Sequence, residues 1–165
     1  MVRVAFPGRF QPLHRGHHRV IQEFRTEYDE FVLALGSPEK ARTPRNPLTA
    51  AERERIVAAC FPDVAVVRVP DEDRGDAGYP TWARRLVDLT GADVVVSRND
   101  LVVELVERYT DAVVVPQPLF SPRRFSGTVV RERIRRGQSW RPFVPECCQA
   151  EVASLLAAIR DAGDP

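Results

Sequence analysis

Apolar and polar positions fall in short blocks along this chain, and the blocks switch between strand and helix periods. Residues 2–6 form an apolar run closed by Pro7-Gly8, which predicts a buried strand. Over residues 17–25, Val20, Ile21 and Phe24 recur at helical spacing. Residues 31–35 predict a second strand, stopped by Gly36. Thr49 then opens a helix through a capping box with Glu52, and Ile56, Val57 and Cys60 supply its apolar side. Residues 64–69 predict a third strand. Residues 80–89 predict a helix with Trp82, Leu86 and Leu89 on one side. Residues 93–96 read as a fourth strand, 101–108 as a helix capped by Asn99 or Asp100, and 112–115 as a fifth strand. Ser126 caps a helix running to Arg136 and closed by Gly137. A last amphipathic helix is predicted over 146–160.

Strands and helices that alternate this strictly predict a parallel sheet covered on both faces. The expected fold is α/β: a doubly wound five-stranded parallel sheet with a C-terminal helical segment. One domain is expected over residues 1–165, with a core of about 1–140. In such sheets ligands bind past the carboxyl ends of the strands, where strand order reverses. The loop after the first strand is therefore the expected seat of chemistry.

Composition narrows the function classes. Of 165 residues, 44% are hydrophobic and 28% charged, as in ordinary globular domains. The net charge of +1 provides no global field for a nucleic-acid polymer or an anionic membrane. Neither partner is expected, and no apolar run approaches a membrane span. Lys40 is the only lysine, and the arginine-rich remainder reads as the coding bias of a GC-rich genome. Cys60, Cys147 and Cys148 are an odd set with two adjacent members, which predicts free thiols and a cytoplasmic location.

All three histidines, His14, His17 and His18, fall within five residues of that first loop. The loop reads Gly8-Arg9-Phe10-Gln11-Pro12-Leu13-His14-Arg15-Gly16-His17-His18. The helix that follows directs unpaired N–H groups and partial positive charge toward it. Gly8 and Gly16 permit close backbone approach, and Arg9 adds a fork of donors suited to phosphate. His14 and His17 can donate to the same anion. A zinc site built on these histidines is not expected, because no cysteine or carboxylate is close in sequence to complete it. No Gly-Lys-Ser/Thr is present, so this is not a Walker A loop.

These residues carry a family resemblance. His14-x-Gly16-His17 is similar to the HxGH signature of the nucleotidylyltransferase superfamily. The longer string from Gly8 resembles the archaeal-type nicotinamide mononucleotide adenylyltransferases in particular. Phe125-Ser126-Gly127-Thr128-Val129-Val130-Arg131 resembles the ISGTEIR motif of that family. Asn46-Pro47-Leu48-Thr49-Ala50-Ala51-Glu52-Arg53 resembles its NPFTxxER segment, and Ser97-Arg98-Asn99 its nucleotide-contacting turn. The resemblance implies a Rossmann-like nucleotidylyltransferase fold, a homo-oligomer, and AMP transfer from ATP to nicotinamide mononucleotide. Mg²⁺ would enter on the triphosphate, with no protein metal ligands expected.

Roles follow from the chemistry. His14, His17, Arg9 and Arg131 are the expected catalytic residues. Gly8, Phe10, Gln11, Gly16, Asn99, Ser126, Gly127 and Thr128 are expected at the nucleotide. Ser37, Arg42, Arg45 and Trp82 are expected at the acceptor. On the acceptor side the chain departs from the family pattern: Ala41-Arg42 replaces a Ser-His pair, and an Asn before Trp82 is missing. Those departures leave open a related adenylyl- or cytidylyltransferase, using ATP or CTP, with another small phosphate or phosphonate acceptor.

Overall fold

The computed structural model describes residues 1–163; the final two residues of the expected 1–165 domain lie outside the described residues. The chain divides into two compact units, each assembled from separated segments. The first comprises Met1–Gly8, Val20–Pro38 and Val64–Pro118. The second comprises Arg9–Arg19, Glu39–Asp63 and the chain from Leu119 onward.

The first unit holds the sheet. Its strands are β1 (Arg3–Gly8), β2 (Glu30–Gly36), β3 (Ala65–Val69), β4 (Val94–Ser97) and β5 (Val113–Pro116). All pair in parallel, in the order β3-β2-β1-β4-β5. The order reverses between β1 and β4, so the chain leaving β1 departs from the switch point of the sheet. Ala5, Ala34, Val69, Leu86, Val95 and Val106 form the apolar cluster of this unit. β1 and β2 are buried, as their unbroken apolar runs require. The outer strands are only partly covered, and Val113 is 62% exposed, because each has a hydrogen-bonded neighbour on one side alone.

Helices α3 (Tyr79–Thr90) and α4 (Asp100–Tyr109) belong to the same unit. Gly91, at φ 66°, terminates α3 in the left-handed conformation. Asn99, rather than Asp100, caps α4: its side chain accepts from the N–H groups of Leu101 and Val102. α1 (Arg15–Glu27) begins in the second unit and continues in the first.

The second unit contains α2 (Ala50–Cys60), α5 (Gly127–Arg135), α6 (Gln149–Ala153) and α7 (Leu156–Asp161). Both halves of the capping box at Thr49 and Glu52 are formed. The single C-terminal helix expected over 146–160 is instead a one-turn 3-10 helix, Glu146–Cys148, followed by α6 and α7. The break falls at Ser154 and Leu155. Its hydroxyl donates to the Glu151 carbonyl at 2.6 Å, while the Leu155 N–H turns to Val152 at 2.9 Å. A serine bonding its own backbone competes with the helix ladder.

The free-thiol expectation is also corrected. Cys60 and Cys147 are joined by a disulfide that closes 87 residues of separation, and only Cys148 remains a buried thiol. Periodicity assigned Cys60 to the apolar side of α2; its pairing with Cys147 depends on how α2 meets the C-terminal segment. No helix among the described residues is long and apolar enough to cross a membrane.

Candidate active site

The segment leaving β1 folds back on itself before α1 begins. His14 Nδ1 accepts the N–H groups of Gly16 at 3.0 Å and His17 at 3.4 Å. His17 Nδ1 accepts the N–H of His14 at 3.2 Å. A ring nitrogen that accepts an N–H carries no proton, so each neutral imidazole bears its proton on Nε2. The two rings stack with centroids 3.6 Å apart. Phe10, at φ 53°, covers His17 at 4.6 Å.

This enclosure sets the protonation state. Burial, then the charge of Arg131, lowers the His14 pKa to about 4. Burial, then His14 itself, holds His17 well below the ordinary imidazole range. Both are neutral Nε2–H donors at pH 7.

Gly16 is required by this packing. A Cβ there would lie 2.9 Å from His14 Cε1 and 3.0 Å from Nδ1. The glycine of the H-x-G-H pattern therefore makes room for the first histidine.

Gln11 is buried and holds the loop against the segment preceding α2. Its Nε2 donates to the Leu48 carbonyl at 3.0 Å, and its Oε1 accepts the Leu48 N–H at 2.9 Å. Arg53, fully buried, donates to the Arg9 carbonyl at 2.9 Å and the Thr49 carbonyl at 3.2 Å. Sequence reasoning did not assign Arg53 a site role. The signal was present: at helical spacing it shares a side of α2 with Ile56 and Val57, an unusual place for a cation.

The second element that the sequence assigns to the site is the start of α5. Ser126 caps it by accepting the Val129 N–H at 3.2 Å. Arg131 returns along the helix: Nη1 donates to the Gln11 carbonyl at 2.9 Å and Nη2 to Thr128 Oγ1 at 3.4 Å. Its Nε is buried without an acceptor. A Cβ on Gly127 would lie 2.7 Å from Nη1, so that glycine keeps the guanidinium's place open. Burial first, then Arg135, Arg9 and Arg45, lower the Arg131 pKa to about 10, and it stays cationic at pH 7.

Arg9, Phe10, Gln11, His14, His17, Gly127, Thr128 and Arg131 line one cleft of about 210 Å³. That is below the roughly 300–1,000 Å³ of a drug-sized site and suits phosphate groups. The cleft offers two arginines, two neutral imidazoles and a helix N-terminus, with no carboxylate among its lining residues. Such a donor set has the chemistry to hold an anion.

Other expected residues are placed elsewhere. Arg42, at φ 57°, donates to the Pro47 carbonyl and pairs with Glu52 at 2.9 Å. Arg45 is exposed and acts on Arg131 by charge alone. Gly8 ends β1. Ser37 donates to Asp71 at 2.7 Å, Trp82 packs against the apolar cluster, and Asn99 caps α4, all within the first unit. His18 is not among the residues lining the cleft. It packs on Phe61, and its ring lies beside Cys60 and Cys147, which are remote from it in sequence.

Residues 5–133 match the family model described as cytidylyltransferase-like. The nicotinamide-nucleotide adenylyltransferase of Methanolobus tindarius is 34% identical over 148 residues, covering 88% of this chain and 84% of that protein. The protein of the same name from Methanosarcina mazei is 37% identical over 150 residues, with the same coverage. Among solved structures, a bifunctional NMN adenylyltransferase/ADP ribose pyrophosphatase from Francisella tularensis superposes with a TM-score of 0.76 at 16% identity. That likeness covers 98% of this chain and 52% of the longer protein, and at such identity it bears on the fold alone. A second structure of the Francisella protein, complexed with AMP and a manganese ion, gives a TM-score of 0.75 at 13% identity.

Proposed function

The chain belongs to the cytidylyltransferase-like family, and on that premise we propose that it transfers AMP from ATP to the 5′-phosphate of nicotinamide mononucleotide, forming NAD and pyrophosphate. The observation that carries this reading is the cleft in which His14, His17, Arg9 and Arg131 converge at the start of α5.

The chemistry suits these residues. A phosphate monoester has its second pKa near 6, so the acceptor oxygen is already ionised at neutral pH. It attacks the α-phosphorus; a new P–O bond forms, the bond to the β-phosphate bridging oxygen breaks, and that oxygen leaves with the electron pair as pyrophosphate. No proton must be removed, and no general base is needed. What the reaction requires is positioning and neutralisation of charge. His14 and His17 donate Nε2–H to the triphosphate, with His17 at the α-phosphate. Arg9 and Arg131 neutralise the departing pyrophosphate. The capped start of α5, with Gly127 and Thr128, adds main-chain donors.

Mg²⁺ is read as entering on ATP, where it neutralises triphosphate charge; the carboxylate-free cleft supports this assignment. A homo-oligomer is read from the family resemblance and is tested by sedimentation; the cytoplasmic location is read from cysteine usage and is tested by fractionation.

The decisive assay measures pyrophosphate release with Mg²⁺, crossing ATP and CTP against nicotinamide and nicotinate mononucleotides, with products identified by mass. NAD from ATP and nicotinamide mononucleotide is the expected product. Nucleotide binding without turnover on either mononucleotide would overturn the acceptor assignment and favour another phosphate or phosphonate.

A further inference from the structure

We propose that His18, Cys60 and Cys147 form a three-ligand site for Zn²⁺ when the cysteines are reduced, and that disulfide formation closes this site. This goes beyond nucleotidyl transfer and uses none of the cleft residues.

The argument is geometric. One ring nitrogen of His18 and the two sulfurs lie within 4.8 Å of one another. They come from three elements: the first turn of α1, the last residue of α2 and the one-turn helix Glu146–Cys148. All three belong to the second unit. Around one tetrahedral zinc, with bonds of about 2.0–2.3 Å, ligand atoms stand roughly 3.5–3.8 Å apart. Side-chain rotation of the reduced cysteines covers that difference without moving the helices.

The donor set selects the ion. Two thiolates and an imidazole are soft-to-borderline ligands that favour zinc over magnesium or calcium. Cys147 is exposed while His18 and Cys60 are half-buried, so an ion can enter and water can take the fourth position. The adjacent Cys148 is fully buried with its sulfur against the Pro145 carbonyl, which distinguishes it from Cys147.

The two states interconvert by ordinary thiol exchange. Two molecules of a small thiol reduce the disulfide, yielding two cysteine thiols and one disulfide of the reductant. Zinc then binds both sulfurs as thiolates, releasing their two protons. In a reducing compartment the dithiol form prevails, so the metal-binding state is the one expected there.

The test uses the full chain, reduced with a phosphine that is then removed under anaerobic conditions, and titrated with Co²⁺. The expected result is one Co²⁺ per chain with thiolate-to-cobalt charge-transfer absorption, displaced by Zn²⁺. The oxidised chain should show no such band. Cys147→Ser should abolish the two-thiolate spectrum while keeping adenylyl transfer, which verifies its folding. His18→Gln should weaken binding by more than about 100-fold, beyond the loss typical of an outer-shell partner. No charge-transfer band in the reduced chain would overturn the proposal. So would an undiminished band in Cys147→Ser.

Discussion

Arg131 Nη1 donates to the main-chain carbonyl of Gln11 at 2.9 Å, across 120 residues of chain. This bond joins the two signatures proposed to bind phosphate, so the orientation of one depends on the other. Arg131→Ala should lower turnover by about 10²–10³, the usual loss for one preorganised donor. Arg131→Lys should recover only part of it, because an ammonium supplies charge without the fork. Steady-state kinetics on ATP for the two variants test this, and full recovery by lysine would show that charge alone matters.

Gly127→Ala should damage the site without damaging the fold. Its new Cβ would lie 2.7 Å from Arg131 Nη1, displacing the guanidinium. Gly16→Ala does the same to His14. Both variants should lose at least about 10-fold in kcat/KM, an effect of about 1.4 kcal/mol on the barrier. Thermal melts should show them folded. An unchanged kcat/KM would mean the guanidinium or the ring moves aside at no cost.

His17→Ala removes one of the two Nε2–H donors assigned to the triphosphate. Turnover should fall by about 10²–10³, with the circular dichroism of the native protein retained. Near-normal turnover would remove His17 from the α-phosphate role.

Gln11→Ala should destabilise rather than merely inactivate. Two buried main-chain groups of Leu48 would lose their partners, at about 1–3 kcal/mol each. Urea unfolding should show the lowered midpoint. A midpoint equal to that of the native protein would mean the loop relaxes to satisfy both groups.

Stability should fall on acidification through the histidines. An unfolded imidazole takes its proton near pH 6.5, whereas His14 in the folded protein takes it near 4. Between these values the unfolded state binds more protons, so stability is full above 6.5 and is lost as pH falls through 4. His14 alone accounts for a loss of about 3 kcal/mol by pH 4. Urea unfolding across pH 4–7 measures the slope, and His14→Gln should flatten it. An equal slope in that variant would place the proton uptake on other groups.

The sequence by itself determined what local physics decides. Apolar runs of strand length placed β1 to β5, and Thr49, the pair Asn99-Asp100 and Ser126 marked three helix starts through short-range side-chain bonds. The clustered histidines and the glycines around them pointed to one loop as the candidate site, since their spacing acts within one loop and one helix turn. Tertiary structure alone decided the rest. The Gln11 bonds to Leu48, the reach of Arg131 to Gln11, and the meeting of His18, Cys60 and Cys147 join positions far apart in the chain. No periodicity encodes such pairings, because they depend on how separated elements pack. The protonated nitrogen of His14 and His17 was hidden for the same reason: it is set by which backbone N–H each ring accepts, and that requires the folded loop.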